Sequence, residues 1–244
     1  RWYILSFFAI WGLGQLALAF NARRKYEHVG LGDPFFLALS LYLLILFVEK
    51  RAWPYMAAAG VAVALTMWSK QPVGALLFCA VSFFIVCLAI FQKITWKKFL
   101  FTAALFISGF SVVNALFFVW LLLNHALKDM WLQSVVWAFT WAKRTVATPT
   151  LPTLIAIFFP SPDKFHFPSY VWSALPIPCL ILFFRTFINH LWKRQLDTKQ
   201  LVVFAAVMVC LASWGQYYPI PCARHTYWSA APMFGMFAYF VWDL

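Results

Sequence analysis

Residues 30–70 read GLGDPFFLALSLYLLILFVEKRAWPYMAAAGVAVALTMWSK, and this stretch decides the fold class. Two apolar runs, at 34–48 and 53–68, are separated by a short turn that contains the charged triplet EKR. Asp33 precedes the first run and Lys70 follows the second. A helix of about 20 mostly apolar residues spans a hydrocarbon core about 30 Å thick. The stretch therefore predicts two successive membrane-spanning helices with charged residues at their ends.

The composition extends this prediction to the whole chain. The sequence is 64% hydrophobic and 11% charged, with a mean hydropathy of +0.80, whereas a soluble domain carries about 25% charged residues. The apolar residues form solid blocks, while a transmembrane β-barrel would show alternating polar and apolar residues. We therefore expect an all-α fold, a polytopic transmembrane helical bundle.

The apolar blocks predict about eight spans within a single transmembrane domain, 1–244. The spans are placed at residues 2–20, 34–48, 53–68, 73–91, 99–123, 170–188, 201–214 and 228–242. The region 124–168 is different, because it is rich in tryptophan, proline and charge. It predicts an interfacial or re-entrant region, with an amphipathic interfacial helix over 130–142 and a short apolar segment over 150–160.

The loops between the predicted spans fall on two faces. One face holds the loops at 49–51, 93–98 and 185–199; the other holds 21–33, 69–72, 124–168 and 216–227. The first set is plainly basic, which is typical of cytoplasmic connections. The second set mixes cations with acids, histidines, aromatic residues and prolines. We expect the first face to be cytoplasmic and the second to carry the chemistry.

The charge and cysteine content limit the classes of partner. The chain has 19 Lys and Arg against 7 Asp and Glu, and the cations lie mostly in loops, where anionic lipid headgroups are the natural partner. No nucleic-acid-binding motif is present in the sequence. The five cysteines form no CxxC pair, so buried, inert thiols are favoured over a metal or redox role.

The charged stretch NARRKYEHVGLGDPF, at 21–35, supplies the candidate acids. Asp33 and Glu27 could act as a base, hold a cation or position an acceptor. Asp33 could equally serve as the helix N-cap before a proline at the first helical position. Arg23 and Arg24 are candidate phosphate ligands, because a guanidinium makes bidentate contacts with phosphate; headgroup anchoring is the alternative for both.

Two further cations lie on the second face. Lys70, in GVAVALTMWSKQPVGALL, and Arg224, in YYPIPCARHTYWSAAP, could each bind a substrate phosphate, and anchoring to lipid phosphates is the alternative. Histidine and aromatic residues near them are candidates for lining a substrate cavity, with an interfacial aromatic belt as the alternative. These residues are His28, Tyr217, Tyr218, His225 and Tyr227.

These motifs resemble a known superfamily. SKQPVGALL resembles the T-K-x-P-x-G/A turn of the dolichyl-phosphate-mannose protein mannosyltransferase-like superfamily, and residues 30–70 resemble the segment that precedes that turn. PCARHTYWSAAP resembles the later x-R-Y-x-x-P-x-x-P element, with Arg224 at the arginine position. Here His225 follows that arginine, and the aromatic residue comes later, at Tyr227. The resemblance covers the layout of the whole chain, although only these three motifs carry it locally.

The resemblance implies a glycosyltransferase of the GT-C type, related to the aminoarabinose transferases. Such an enzyme moves a sugar from a polyprenyl-phosphate donor to a protein or lipid acceptor on the periplasmic or lumenal face. The membrane would be the bacterial inner membrane, or another membrane whose active face points outward or into a lumen. No cofactor is implied with certainty, and a divalent metal stays open. Cations at the membrane edge would stabilise the charge on the departing phosphate.

One departure from the family concerns the main catalytic aspartate. It usually lies in the first external loop, between the first two spans. From the match to the SKQP turn, we expect this chain to be a fragment that begins one or two spans later, with the principal base upstream of Arg1. Asp33 would then be a supporting acid. An Asp or Asp-Glu pair in an upstream loop would favour the transferase.

The sequence is also compatible with two other classes of function. A transporter or lipid flippase would also place charge at the ends of spans, although such proteins more often show ionisable residues at midspan and paired repeats. The sequence shows no clear internal repeat, and Asn114 is its main polar residue deep in a span. A noncatalytic membrane scaffold subunit is the third class.

Overall fold

The computed structural model describes residues 32–137, 140, 175–193, 195–215 and 223–243. This part of the chain is helical and contains no strand, which confirms the all-α prediction for it. The helices are α1 (Gly32–Lys50), α2 (Pro54–Ser69), α3 (Gln71–Phe91), α4 (Trp96–Leu123), α5 (Leu127–Trp131), a π-helix (Leu132–Trp137), α6 (Pro176–Lys193), α7 (Thr198–Gly215) and α8 (Ala223–Asp243).

The helix boundaries follow from local sequence. Pro54 and Pro72 lie in the first turns of α2 and α3, where the missing N–H costs no intrahelical bond. Arg51, Lys93 and His125 follow the ends of α1, α3 and α4 with φ of 53°, 49° and 54°. A left-handed residue at this position redirects the chain and closes the last turn of the helix. The turns are therefore built by ordinary helix-end geometry.

Polar contacts bring three of the basic loops together at one end of the bundle. Arg51 Nη2 donates to Gln92 Oε1 at 3.4 Å, and Gln92 Nε2 donates to the Leu196 carbonyl oxygen at 2.7 Å. The loop after α1, the loop after α3 and the loop before α7 therefore meet, as their alternation along the sequence predicts. We call this end of the bundle the Arg51 end.

The directions of the helices place the remaining helix ends opposite. The chain reverses direction at Arg51, between α1 and α2. Helix α1 therefore begins, and helix α2 ends, at the opposite side of the bundle, next to Lys70. Helix α7 also ends there, since Gly215 lies against Leu76 near the start of α3. Helix α8 begins there as well. Lys199 at the start of α7 contacts Asp243 at the end of α8, and Cys210 further along α7 contacts the Pro232 carbonyl oxygen, so the two helices are antiparallel. We call this end the Lys70 end.

Helices α2 and α4 are close parallel neighbours. Trp53 packs edge-on against Phe101, with ring centroids 5.1 Å apart, and one helix length further on Trp68 stacks on Phe117 at 4.5 Å. The backbones touch where both helices carry glycine. A methyl group on Gly60 would overlap the backbone of Phe106, and one on Gly109 would overlap the backbone of α2. Small residues at such a crossing are the usual way for membrane helices to pack closely.

The core is formed around α7, which is buried over most of its length. Phe204 of this helix lies in a cluster of rings that joins α3 and α6. Its ring centroid is 6.0 Å from Phe84, 5.5 Å from Phe91, 5.8 Å from Phe183 and 5.9 Å from Phe187. These contacts fix α3, α6 and α7 relative to one another by apolar packing.

Three of the helices are long and apolar enough to cross a membrane: α3, α4 and α7. Helix α2 is apolar but has only 16 residues. The predicted count of eight spans is therefore not established, and the predicted span at 2–20 lies outside the described residues. The chain has the features of a membrane protein, built from apolar helices of membrane-spanning length.

The sixth predicted span, at 170–188, needs a correction. Residues 170–174 lie outside the described part of the chain, and α6 continues to Lys193. Arg185 and His190 are therefore helical rather than part of a basic loop. The helix extends because residues 185–193 keep apolar side chains between their polar ones, so hydropathy alone ends the span too early.

The region predicted to be interfacial begins with exposed helices. In α5 and the π-helix no residue is buried, and Trp131 and Trp137 are 57% and 70% exposed. The predicted interfacial helix over 130–142 is thus helical up to Trp137. The apolar segment at 150–160 lies outside the described residues.

Candidate functional site

Lys70 lies at the junction of two apolar helices. Its backbone is extended, with φ −155° and ψ 98°, and this single residue separates α2 from α3. Its N–H donates to the Thr66 carbonyl oxygen at 2.8 Å, and its own carbonyl accepts from Gly74 N at 3.1 Å. The residue is half-buried. The sequence SKQP therefore forms a tight corner between the two helices, with Lys70 at their junction.

The corner is tight because Gly74 carries no side chain. A methyl group at this position would overlap the backbone of Met67 in the last turn of α2. The small residue of the S-K-Q-P-x-G pattern thus has a packing role. It lets the start of α3 fold back against the end of α2, directly beside Lys70.

Asp33 and Arg224 lie at helix starts at the same end as Lys70. Asp33 is the second residue of α1, and Arg224 is the second residue of α8. His225 and Tyr227 follow in the first turns of α8. The directions of α1, α2 and α8 bring these backbone positions to the Lys70 end. The side chains of these four residues lie outside the description, so their contacts stay predictions.

The remaining predicted site residues fall outside the described part of the chain. They are Arg23, Arg24, Glu27, His28, Tyr217 and Tyr218. Among the residues that are described, no group of three or more His, Cys, Asp or Glu side chains could hold a metal ion. The roles of the acids, the phosphate-binding arginines and the cavity aromatics therefore remain as the sequence predicts them.

A polar cleft at the Arg51 end was not predicted from the sequence. Arg185 Nη1 donates to Asp243 Oδ2 at 2.8 Å, and Lys199 Nζ donates to Asp243 Oδ1 at 3.0 Å. One carboxylate thus joins α6, α7 and α8. The cleft has a volume of about 150 Å³, and its lining also includes Thr186 and Asn189. No spacing in the sequence signals it, because its charged residues are far apart along the chain.

The carboxylate of Asp243 is held in its ionised form. Burial of this group disfavours the charge, but the hydrogen bonds from Lys199 and Arg185 outweigh that effect, and its pKa is lowered from the ordinary value of 3.8. The Tyr239 hydroxyl also lies 3.3 Å from Asp243 Oδ1. At neutral pH the cleft therefore contains an ionised carboxylate with a cation on each oxygen.

Comparison with known proteins gives no relative. No family model, no curated protein and no solved structure matches this chain.

Proposed function

We propose that this chain is the membrane domain of a glycosyltransferase that moves a sugar from a polyprenyl-phosphate donor to an acceptor. The observation that carries the proposal is the SKQP corner, where Lys70 is held half-buried between two apolar helices. A prenyl tail dissolves in lipid, so the phosphate that it carries must sit at the membrane edge. A cation fixed at that edge is positioned to bind it.

The chemistry requires few groups. The donor phosphate is also the leaving group, and it needs charge stabilisation more than protonation. Lys70, with Arg224 at the start of α8, would supply that stabilisation in a partly desolvated place, where a charge interaction is worth more than in water. A carboxylate base then activates the acceptor. Asp33, at the start of α1, would assist by positioning the acceptor or holding a cation.

The proposal includes the arrangement in the membrane. We place about eight spans in the bilayer, with the Arg51 end in the cytoplasm and the Lys70 end facing outward or into a lumen. The basic loops of the Arg51 end support this orientation by the positive-inside tendency.

Alanine variants of the full-length protein test the function. Lys70→Ala and Arg224→Ala should each lower transfer from a prenyl-phosphate sugar by about 10²-fold, the size of effect expected when one charge-stabilising group is removed. Lys97→Ala is the matched control, because Lys97 is exposed in the first turn of α4 at the opposite end. Transfer is measured with several prenyl-phosphate sugars, and thermal unfolding of each variant shows whether the fold is intact.

Equal transfer by all three folded variants would sink the proposal. Absence of any transfer by the parent protein with every prenyl-phosphate sugar would favour a transporter or a scaffold subunit instead. A loss confined to Lys70→Ala would leave the phosphate site in place and remove Arg224 from it.

A further inference from the structure

The cleft formed by Arg185, Lys199 and Asp243 lies at the opposite end of the bundle from the proposed transfer site. Each of the three side chains comes from a different helix, and Asp243 holds the two cations together. The volume of about 150 Å³ is roughly ten times the minimum that holds one water molecule. The cleft therefore has room for a small polar group.

The exposure of the three side chains shows which of them a bound polar group would contact. The side chains of Arg185 and Lys199 are 53% and 47% exposed, whereas Asp243 is 15% exposed. The carboxylate thus lies behind the cations. A guanidinium has five N–H donors and an ammonium has three, and the bonds to Asp243 use one from each. The accessible donors suit an anion with several oxygens, as phosphate has.

A second carboxylate, that of Asp197, also lines the cleft. The lining thus carries two cations, Arg185 and Lys199, and two carboxylates, Asp197 and Asp243. Asp197 Oδ1 accepts from Gln200 N at 2.8 Å, while Asp197 N donates to Gln200 Oε1 at 3.0 Å. This acid is therefore engaged in the reciprocal capping of α7. Recognition of an anion therefore depends on the exposed donors of Arg185 and Lys199 and not on a net positive charge of the cleft.

The surface beside the cleft is apolar and runs along α6. Ile177, Ile181, Phe184 and Ile188 are 40%, 43%, 60% and 52% exposed. Their spacing of four, three and four residues places them on one face of the helix, and Arg185 borders this face. We call these four residues the α6 stripe. Ile177, Ile181 and Phe184 extend from Arg185 away from the Arg51 end, so they suit an acyl chain whose headgroup is held at Arg185.

The level of the cleft matches a membrane interface. Trp192 and Trp242 are 84% and 66% exposed, and both lie at the Arg51 end, close in sequence to the cleft residues. Exposed tryptophans are enriched at the depth of lipid headgroups. Lys199 Nζ lies 5.4 Å from the Trp242 ring centroid, so the cation and the interfacial ring share one depth.

We infer that this cleft binds the phosphate of an anionic phospholipid, with one acyl chain lying along the α6 stripe. The lipid phosphate contacts Arg185 and Lys199 on their exposed sides, while Asp243 keeps the two cations in place from behind. The bound lipid ties α6 to α7 at the Arg51 end. This site does not depend on the transfer reaction.

Titration of the purified protein with phosphatidylglycerol, followed by native mass spectrometry, tests the inference. Each cation near an anionic membrane contributes about 1 kcal/mol, so Arg185→Gln with Lys199→Gln should weaken binding about thirtyfold. Lys97→Gln with Lys98→Gln is the matched control. It removes the same charge from exposed side chains at the same end. These lysines do not line the cleft, and an isolated exposed charge contributes little, so binding should change less than about twofold.

A second variant tests the same site in case the double variant does not fold. Ile188→Glu leaves the three cleft residues untouched and replaces an exposed side chain, so the fold should persist while a negative charge repels the lipid phosphate. It should weaken phosphatidylglycerol binding about tenfold or more, the effect of roughly 1.4 kcal/mol. Equal binding by the parent, the Arg185→Gln and Lys199→Gln double variant and the Ile188→Glu variant would overturn the inference.

Two further ligands distinguish the sources of phosphate. Phosphatidylcholine, whose phosphate is balanced by a cationic headgroup, should bind at least tenfold more weakly than phosphatidylglycerol; equal binding would refute a charge-selective site. Inorganic phosphate should neither bind with comparable affinity nor displace the lipid. If it does both, the ligand is a soluble phosphate and the lipid assignment is wrong.

Discussion

Replacing the glycines at the α2–α4 contact should separate these two helices. A methyl group on Gly60 would overlap the Phe106 carbonyl oxygen and lie 2.9 Å from Phe110 N, and one on Gly109 would overlap the Ala57 carbonyl oxygen. The obstructing atoms belong to the backbone, so no side-chain rotation relieves the overlap. The helices must move apart on the order of 1 Å to restore a carbon contact near 3.5 Å.

The free-energy cost of that movement follows from the contacts between α2 and α4. Trp68 Nε1 donates to Asn114 Oδ1 at 3.1 Å, and the Trp68 ring stacks on Phe117 at 4.5 Å. A gap of about 1 Å forfeits a quarter to a half of each dispersion contact across it. Overpacking of this kind costs about 1–3 kcal/mol. We therefore expect Gly60→Ala and Gly109→Ala each to lower the free energy of unfolding by that amount.

Thermal unfolding in detergent measures the effect. For a chain of this size, about 1–3 kcal/mol corresponds to a fall in Tm of roughly 2–12 °C. Gly215→Ala is the matched control, since its methyl group would meet only the end of the Leu76 side chain, at 2.8 Å. Leu76 can rotate, so this variant should keep the Tm of the parent within about 2 °C. If all three variants share the parent's Tm, the close parallel packing of α2 and α4 is wrong.

Two further predictions concern the Arg51 end and the orientation of the bundle. Asp243→Asn should cost about 1 kcal/mol at pH 7, because its partners are half-exposed. Folding lowers the pKa of Asp243, so its stabilisation is complete above the ordinary value of 3.8 and is lost as the pH falls through the folded value. Urea titrations should therefore separate parent and variant at pH 7 and converge in more acidic solution; a constant difference would contradict the role of the carboxylate. For orientation, Lys97→Cys and Asn124→Cys mark the two ends of α4, which is about 42 Å long at 1.5 Å per residue. A membrane-impermeant maleimide should label position 124 in intact cells and position 97 only after permeabilisation, and labelling of both from one side would refute the span.

The sequence located the helices well because membrane insertion depends on local properties. Backbone polar groups cannot be left without partners in hydrocarbon, so a long apolar run must be a helix. The apolar runs at 73–91 and 201–214 correspond to α3 and α7; α3 begins two residues earlier than its run, and α7 begins three residues earlier and ends one residue later. The end of α6 was misplaced because a helix can continue through polar residues once tertiary contacts support it.

Only part of the candidate site could be predicted from the sequence. Lys70 was singled out because a cation between two apolar runs must lie near a membrane edge, and it forms the corner between α2 and α3. Asp33 and Arg224 share that end because the helices alternate in direction, which the order of the runs already implies. The distances among their side chains depend on how the helices pack, and no sequence pattern encodes those distances.

By itself, the sequence determined the helical class, most helix positions and the end of the bundle at which Lys70 lies. Each of these depends on hydropathy along a continuous segment. Only the tertiary structure decided that α2 and α4 touch through Gly60 and Gly109, and that Arg185 and Lys199 share Asp243. These contacts join residues that are dozens of positions apart, and apolar surface is non-directional in its packing. Shape and hydrogen-bond geometry therefore choose the partners only once the helices meet.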